Sequence, residues 1–165
     1  MNQNNVYHPP LELTTTTPSV PFALDPASAD GSFEPAAPLH GSETAAGFDL
    51  YAAENITIHP KTSILARTGV RMAIPTGWFG MICPRSSVAS KTPLRIGARV
   101  IDSDYRGEVM VNIINDAPTD RGYWEITKGE RIAQIVFMQH LSEMVQVDSL
   151  EDTNRGDGGF GSTGV

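Results

Sequence analysis

From residue 45 onward, apolar residues come in short runs separated by turn-forming ones. Runs at 48–53, 63–66, 70–74 and 78–83 are broken by Gly69 and by the turn Pro75-Thr76-Gly77, while residues 56–58 alternate apolar and polar. Further runs follow at 94–101, 108–114, 123–126, 131–137 and 144–147. Short runs with Gly/Pro punctuation predict β-strands, and many of them at regular spacing predict an all-β sandwich or barrel. Only residues 86–91 invite a short helical turn. Ahead of this set, Val20-Pro21-Phe22-Ala23-Leu24 reads as a first strand. It lies between a stretch rich in Asn, Thr and Pro (1–19) and a second loose, proline-bearing stretch (26–42). There is no internal repeat.

Composition narrows the picture. A chain of 165 residues fits one domain with its own core. The expected division is a flexible tail (1–19), a barrel domain (20–154) and a glycine-rich C-terminal arm (155–165). No long uncharged apolar run is present, so no membrane-spanning helix is expected. The formal charge of −7 argues against a nucleic-acid backbone as partner, and a protein so acidic must concentrate its few cations to handle an anion. The lone Cys83 permits no disulfide within the chain, and His8, His40, His59 and His140 are too dispersed for a structural zinc site. No Lys or Arg precedes Lys61, unlike a secretory or transit signal, so a cytoplasmic or nuclear location is expected.

Candidate chemistry gathers in RVIDSDYRGEVMVN, residues 99–112. An apolar pair, a polar turn with Asp and Gly, and a second apolar run predict a β-hairpin. Asp102, directly behind two β-branched residues, would sit on a rigid stem at a strand end, where a general base is well placed. Taken alone, the stretch reads equally as an ordinary solvated turn. The tail RGDGGFGSTGV (155–165) formally contains G-x-G-x-x-G, but no helix can follow it, so the dinucleotide reading is rejected. What remains is a glycine-rich arm carrying Arg155, Phe160, Ser162 and Thr163, whose backbone could wrap an anion. Pro84-Arg85-Ser86-Ser87 places a cation and two hydroxyls at a turn, which suits a phosphate site or a strand cap. Arg131, in GERIAQ at 129–134, is equally open to a structural or a functional role.

Set side by side, these stretches resemble the five motifs of the trimeric dUTPase family. The motifs are AAGFDLYAA (45–53), PRSSVA (84–89), RVIDSDYRGE (99–108), GERIAQ (129–134) and RGDGGFGSTG (155–164), in order and at normal spacing. The resemblance implies a distorted jelly-roll or β-clip barrel with one short helix and a C-terminal arm exchanged between the subunits of a homotrimer. It implies hydrolysis of dUTP to dUMP and pyrophosphate, with Asp102 as the base that activates water against the α-phosphorus. Tyr105 is similar to the family tyrosine beneath the deoxyribose. Backbone groups around Arg99 and Met110 would read the uracil edge, and Phe160 would stack on the base. Arg85, Ser86, Ser87, Gln134, Arg155, Gly161, Ser162 and Thr163 match phosphate-binding positions. Asp49 matches the acid that holds Mg2+ through water. Each site would draw motifs from more than one chain.

Two positions depart from the family pattern. Ser87 stands where the family usually has Gly, which leaves a backbone N–H contact intact. Arg99 also replaces a Gly, and its side chain must point away from the uracil or crowd the pocket. Two rival readings follow: a dCTP deaminase of the same fold, and a non-enzymatic binding protein that kept the barrel. The deaminases place a catalytic Glu ten residues after the motif aspartate, where this chain has Asn112. Retention of Asp102, Tyr105 and the arm argues against lost chemistry.

Overall fold

The computed structural model describes residues 18–158. Nearly all of its regular structure is β. The largest sheet comprises β2 (Leu39–His40), β3 (Phe48–Tyr51), β7 (Trp78–Cys83), β9 (Val100–Ile101) and the long β12 (Arg131–Gln139). Its spatial order is β2-β3-β12-β7-β9. A second sheet sets β10 (Val111–Asn115) between β5 (Ser63–Ala66) and β8 (Leu94–Ile96). Two-stranded ladders join β1 (Phe22–Leu24) to β6 (Val70–Met72), and β4 (Ile56–Ile58) to β11 (Trp124–Ile126). All these pairings are antiparallel. The one α-helix among the described residues, α1 (Ser86–Lys91), lies where the sequence invites it, and a 3-10 turn spans Thr119–Arg121.

Period-two alternation explains which faces are buried. In β10, Val111, Ile113 and Asn115 point inward while Asn112 and Ile114 are half-buried; in β4, Ile56 and Ile58 flank an exposed Thr57. Leu50, Ile82, Ile113 and Ile135 are fully buried and come from both large sheets, so the core lies between them. Asn115 is buried but satisfied. Its amide donates to the Ile58 carbonyl at 2.9 Å and its Oδ1 accepts from the Ala117 N–H at 3.0 Å.

Four expectations are corrected here. The run at 94–101 is two strands in different sheets, because Gly97-Ala98-Arg99 breaks it. The Asn112 side chain packs so closely on Gly97 that no Cβ fits there. The stretch around Asp102 is not a hairpin: β9 pairs with β7, whereas β10 pairs with β5 and β8. Its flanks belong to separate sheets, so residues 102–110 form a loop across the seam. Residues 144–147 are no strand, since nothing pairs with them, and Met144 and Val145 are exposed. The stretch at 26–42 is better anchored than its composition suggests, with Phe33 buried.

Candidate active site

The ladders place three motifs in one row. Gln134 lies opposite Asp49 on one side and opposite Cys83 on the other. Arg85 follows Cys83 by two residues and turns back over Asp49. Its Nε donates to Asp49 Oδ1 at 2.9 Å, and Arg131 Nη1 donates to Asp49 Oδ2 at 3.3 Å. Asp49 itself is buried at 7% exposure. Gln134 Nε2 donates to the Pro84 carbonyl at 3.1 Å, which fixes the turn that aims Arg85. Gly47 leaves room for this glutamine, since a Cβ there would stand 2.8 Å from Gln134 Oε1. Ser86 and Ser87 open α1, are exposed, and have no side-chain cap at the helix start. First-turn N–H groups without intrahelical partners suit an anion. One carboxylate between two guanidiniums leaves a local charge of +1 in an acidic protein.

This charge bears on magnesium. Both oxygens of Asp49 already accept from arginine. Among the described residues, no three His, Cys, Asp or Glu side chains come together to hold a metal. The protein residues alone therefore do not fit a bound divalent cation; they fit an anion.

Asp102 sits elsewhere on the same chain. Ile101 lies opposite Gly80, so Asp102 leaves the ladder at the Phe79 end of β7. Phe79 is four residues, about 13 Å of strand, short of Cys83, with Arg85 further on still. Asp102 is exposed and open to solvent. Tyr105 is 41% exposed; its hydroxyl donates to the Glu108 carbonyl at 3.0 Å, and its ring lies over Gly107 where any Cβ would collide. The Arg99 carbonyl accepts from the Ile82 N–H at 2.8 Å, and the residue is exposed on the outer edge of the ladder. Met110 is half-buried where the loop enters β10. Arg155 is exposed and donates through Nε to the Gly158 carbonyl at 2.9 Å. Phe160, Gly161, Ser162 and Thr163 lie outside the described residues.

The structure thus gathers Asp49, Arg85 and Gln134, adds Arg131, and leaves Asp102 and Tyr105 at a distance. Sequence reasoning left the role of Arg131 open and missed the supports of the 102–110 loop. Glu108 accepts from the Gly69 N–H at 2.8 Å and from Arg67 Nε at 3.0 Å, and Thr68 Oγ1 donates to the Val109 carbonyl at 2.5 Å. The partners are 39 to 41 residues apart, so no local signal betrays them.

The main sheet carries a cationic row, Arg85 and Arg131 on Asp49, at one end and an exposed carboxylate–tyrosine loop at the other. The chain belongs to the dUTPase family, whose model matches residues 34–164. It is 44% identical over 129 residues to the human "Deoxyuridine 5'-triphosphate nucleotidohydrolase, mitochondrial", a match covering 78% of this chain and 50% of that protein. The chain therefore spans about half the length of that relative. It is similar to the solved Staphylococcus bacteriophage 80alpha dUTPase with dUPNHPP, at TM-score 0.81 and 32% identity, covering 90% of this chain and 100% of the other. A mutant dUTPase from phage phi11 of S. aureus matches at TM-score 0.72 and 26% identity, over 82% of this chain and 100% of that one. Its description reports the coordination of a structural Mg(II) ion. Among the described residues, no helix is long and apolar enough to cross a membrane.

Proposed function

We propose that this protein hydrolyses dUTP to dUMP and pyrophosphate by attack of water on the α-phosphorus. The observation that carries the reading is the family match over 34–164 with Asp102 and Tyr105 retained on an exposed, well-anchored loop. Asp102 takes the proton of the attacking water, and its position behind Val100-Ile101 supplies the fixed geometry a general base needs. Tyr105 packs beneath the deoxyribose and excludes a 2′-hydroxyl. Backbone groups near Arg99 and Met110 read the uracil edge, which rejects cytosine because unpaired buried polar groups are costly. Arg85 and Arg131, held by Asp49, neutralise phosphate charge together with Ser86 and Ser87. The nucleotide's own phosphates, rather than protein side chains, would hold magnesium, Asp49 would reach it only through water, and no chemical step is assigned to it.

The active unit is a homotrimer with shared sites. The separation of Asp102 from the Arg85 row along β7 supports sites that draw on more than one copy. The exposed apolar residues Leu141, Met144, Val145, Val147 and Leu150 also call for a covering neighbour. Residues 155–165 then form the arm that closes a neighbour's site, with Phe160 on the base and Arg155, Gly161, Ser162 and Thr163 at the phosphates. Residues 20–154 form the barrel; the expected tail at 1–19 lies largely outside the described residues and is given no part in the chemistry. Asn112, packed on Gly97, offers no acid for deamination.

The test is incubation of the purified protein with dUTP or dCTP, with and without Mg2+, with detection of dUMP, pyrophosphate and ammonia. Pyrophosphate from dUTP supports the reading. Ammonia from dCTP, or no product from either, overturns it.

A further inference from the structure

The segment 25–35, most of it ahead of the family-matched region, makes contacts that lead straight to the 102–110 loop. Asp25 donates its N–H to the Gly69 carbonyl at 2.8 Å. Its carboxylate accepts from Arg71 Nε at 2.6 Å and lies 4.0 Å from Arg67 Nη2. The Arg67 guanidinium stacks 4.0 Å above the centroid of the buried Phe33 ring. Pro35 packs against Gly69, which has φ +66 and no room for a Cβ. Residues 25–35 therefore wrap the 67–71 turn by charge, stacking and backbone bonding at once.

That turn grips the loop from its other side. Gly69 N–H and Arg67 Nε both donate to the Glu108 carboxylate, Arg71 Nη1 donates to the Arg106 carbonyl at 3.3 Å, and Val109 N–H donates to the Val70 carbonyl at 2.7 Å. Gly69 is bonded on both sides: its N–H goes to Glu108 and its carbonyl takes Asp25. Arg71 likewise touches Asp25 with one edge and Arg106 with another. Tyr105 then hangs from the carbonyl of Glu108. The series Asp25–Arg71–Arg106 and Asp25–Gly69–Glu108–Tyr105 is continuous, and most of its side-chain bonds involve an ionised partner, the stronger kind.

We propose that residues 25–35 are a strap that positions the catalytic loop, with Asp25 and Glu108 as positioning residues for the deoxyribose selectivity exerted by Tyr105. Neither touches the nucleotide. Asp25 sits at the outer end of the series, outside the family-matched residues, and acts through Arg71 and Gly69. A tyrosine that excludes one hydroxyl works by tenths of an ångström, so a loosened loop should admit the ribonucleotide before it loses the deoxyribonucleotide. The inference rests on the dUTPase reading for its selectivity readout but not for its structural one.

The experiment compares the full chain with Asp25→Ala, Asp25→Glu and Glu108→Gln. Two quantities are measured: the ratio of kcat/KM for dUTP over UTP, and hydrogen exchange in peptides covering residues 102–109. Asp25→Ala and Glu108→Gln should lower the ratio by roughly 3- to 10-fold, a modest share of the loss that an ångström of misplacement brings. They should speed exchange in 102–109 with little change elsewhere in the barrel, and Asp25→Glu should restore most of both. An unchanged ratio and unchanged exchange overturn the strap. So does faster exchange spread over the whole barrel, which would mark a merely structural role. If the unmodified protein releases no pyrophosphate from dUTP, the functional reading falls, and local exchange alone decides the strap.

Discussion

Asp49 holds Arg85 at 2.9 Å, and this pair, more than the helix beside it, orders the end of the main sheet proposed to bind phosphate. The carboxylate is buried, whereas Arg85 keeps 22% and Arg131 50% of its side-chain surface exposed. The acid therefore orients two cations whose outer edges stay available. Asp49→Asn should release both, raising KM for dUTP by about tenfold and costing about 1–3 kcal/mol, the range for a charge-assisted bond lost at a partly buried site. Steady-state kinetics and thermal melts check it; a normal KM would assign phosphate binding to other groups.

Asp102→Asn should abolish turnover while binding persists. The carboxamide keeps the shape and loses the proton acceptor, and removal of a general base commonly costs about 10²- to 10⁴-fold. Binding of a non-hydrolysable imido analogue by calorimetry should stay near the unmodified value. Retention of more than about a tenth of the activity would reassign the base, with Asp104 the first suspect.

Shared sites predict complementation. A chain ending at Asn154 and a full chain carrying Asp102→Asn should each be inactive alone. Mixed trimers should recover part of the activity, because in the proposed shared site one chain supplies the base and another the arm. No recovery after confirmed subunit exchange would mean that the arm serves its own chain's Asp102.

Acid should destabilise the fold, and the sign follows from four carboxylates. Asp25 is held below its ordinary 3.8 chiefly by the Arg71 hydrogen bond, Asp116 by Arg95, and Glu34 below 4.5 by Lys128. Ser28 and Ser32 pull Asp30 down to about 2. Each group binds its proton more weakly in the folded chain than in the unfolded one. Its contribution is complete above the unfolded value and disappears as pH falls through the lower folded value. The melting temperature should stay flat between about pH 5 and 8 and drop below about pH 4. A melting temperature that rose on acidification would contradict these pairings.

Residues 1–19 should be dispensable for catalysis, because their composition offers little apolar surface to bury. A chain starting at Val20 should keep the kinetic constants of the full one. A large loss of activity would give the tail a structural role.

Local pattern carried much of the fold. Ser63–Ala66, Trp78–Cys83 and Ser86–Lys91 are recovered residue for residue, since apolar runs and their turn residues lie side by side in the chain. The break at Gly97 was illegible because Asn112, the residue that enforces it, comes fifteen positions later. The 102–110 loop reads as a hairpin by composition, and only the pairing of β10 with β5 and β8 shows otherwise. Residues 144–147 have strand-like chemistry and no strand to join. Asp25 and Phe33 lay in a stretch that reads as loose, and their partners Arg71 and Arg67 are more than thirty residues away.

The apolar segment 141–150 has a consequence for how the protein is maintained in a cell. A single chain displays Leu141, Met144 and Leu150 almost bare, at 94%, 98% and 87% exposure. Such a surface is what chaperones and proteases survey, and degradation falls on the unassembled population. In the proposed homotrimer association would rise steeply with concentration, so below some synthesis rate solitary chains would be cleared before they meet. Active protein should then appear with a threshold in expression level, not in proportion to it, and dosage of the gene would be read through assembly.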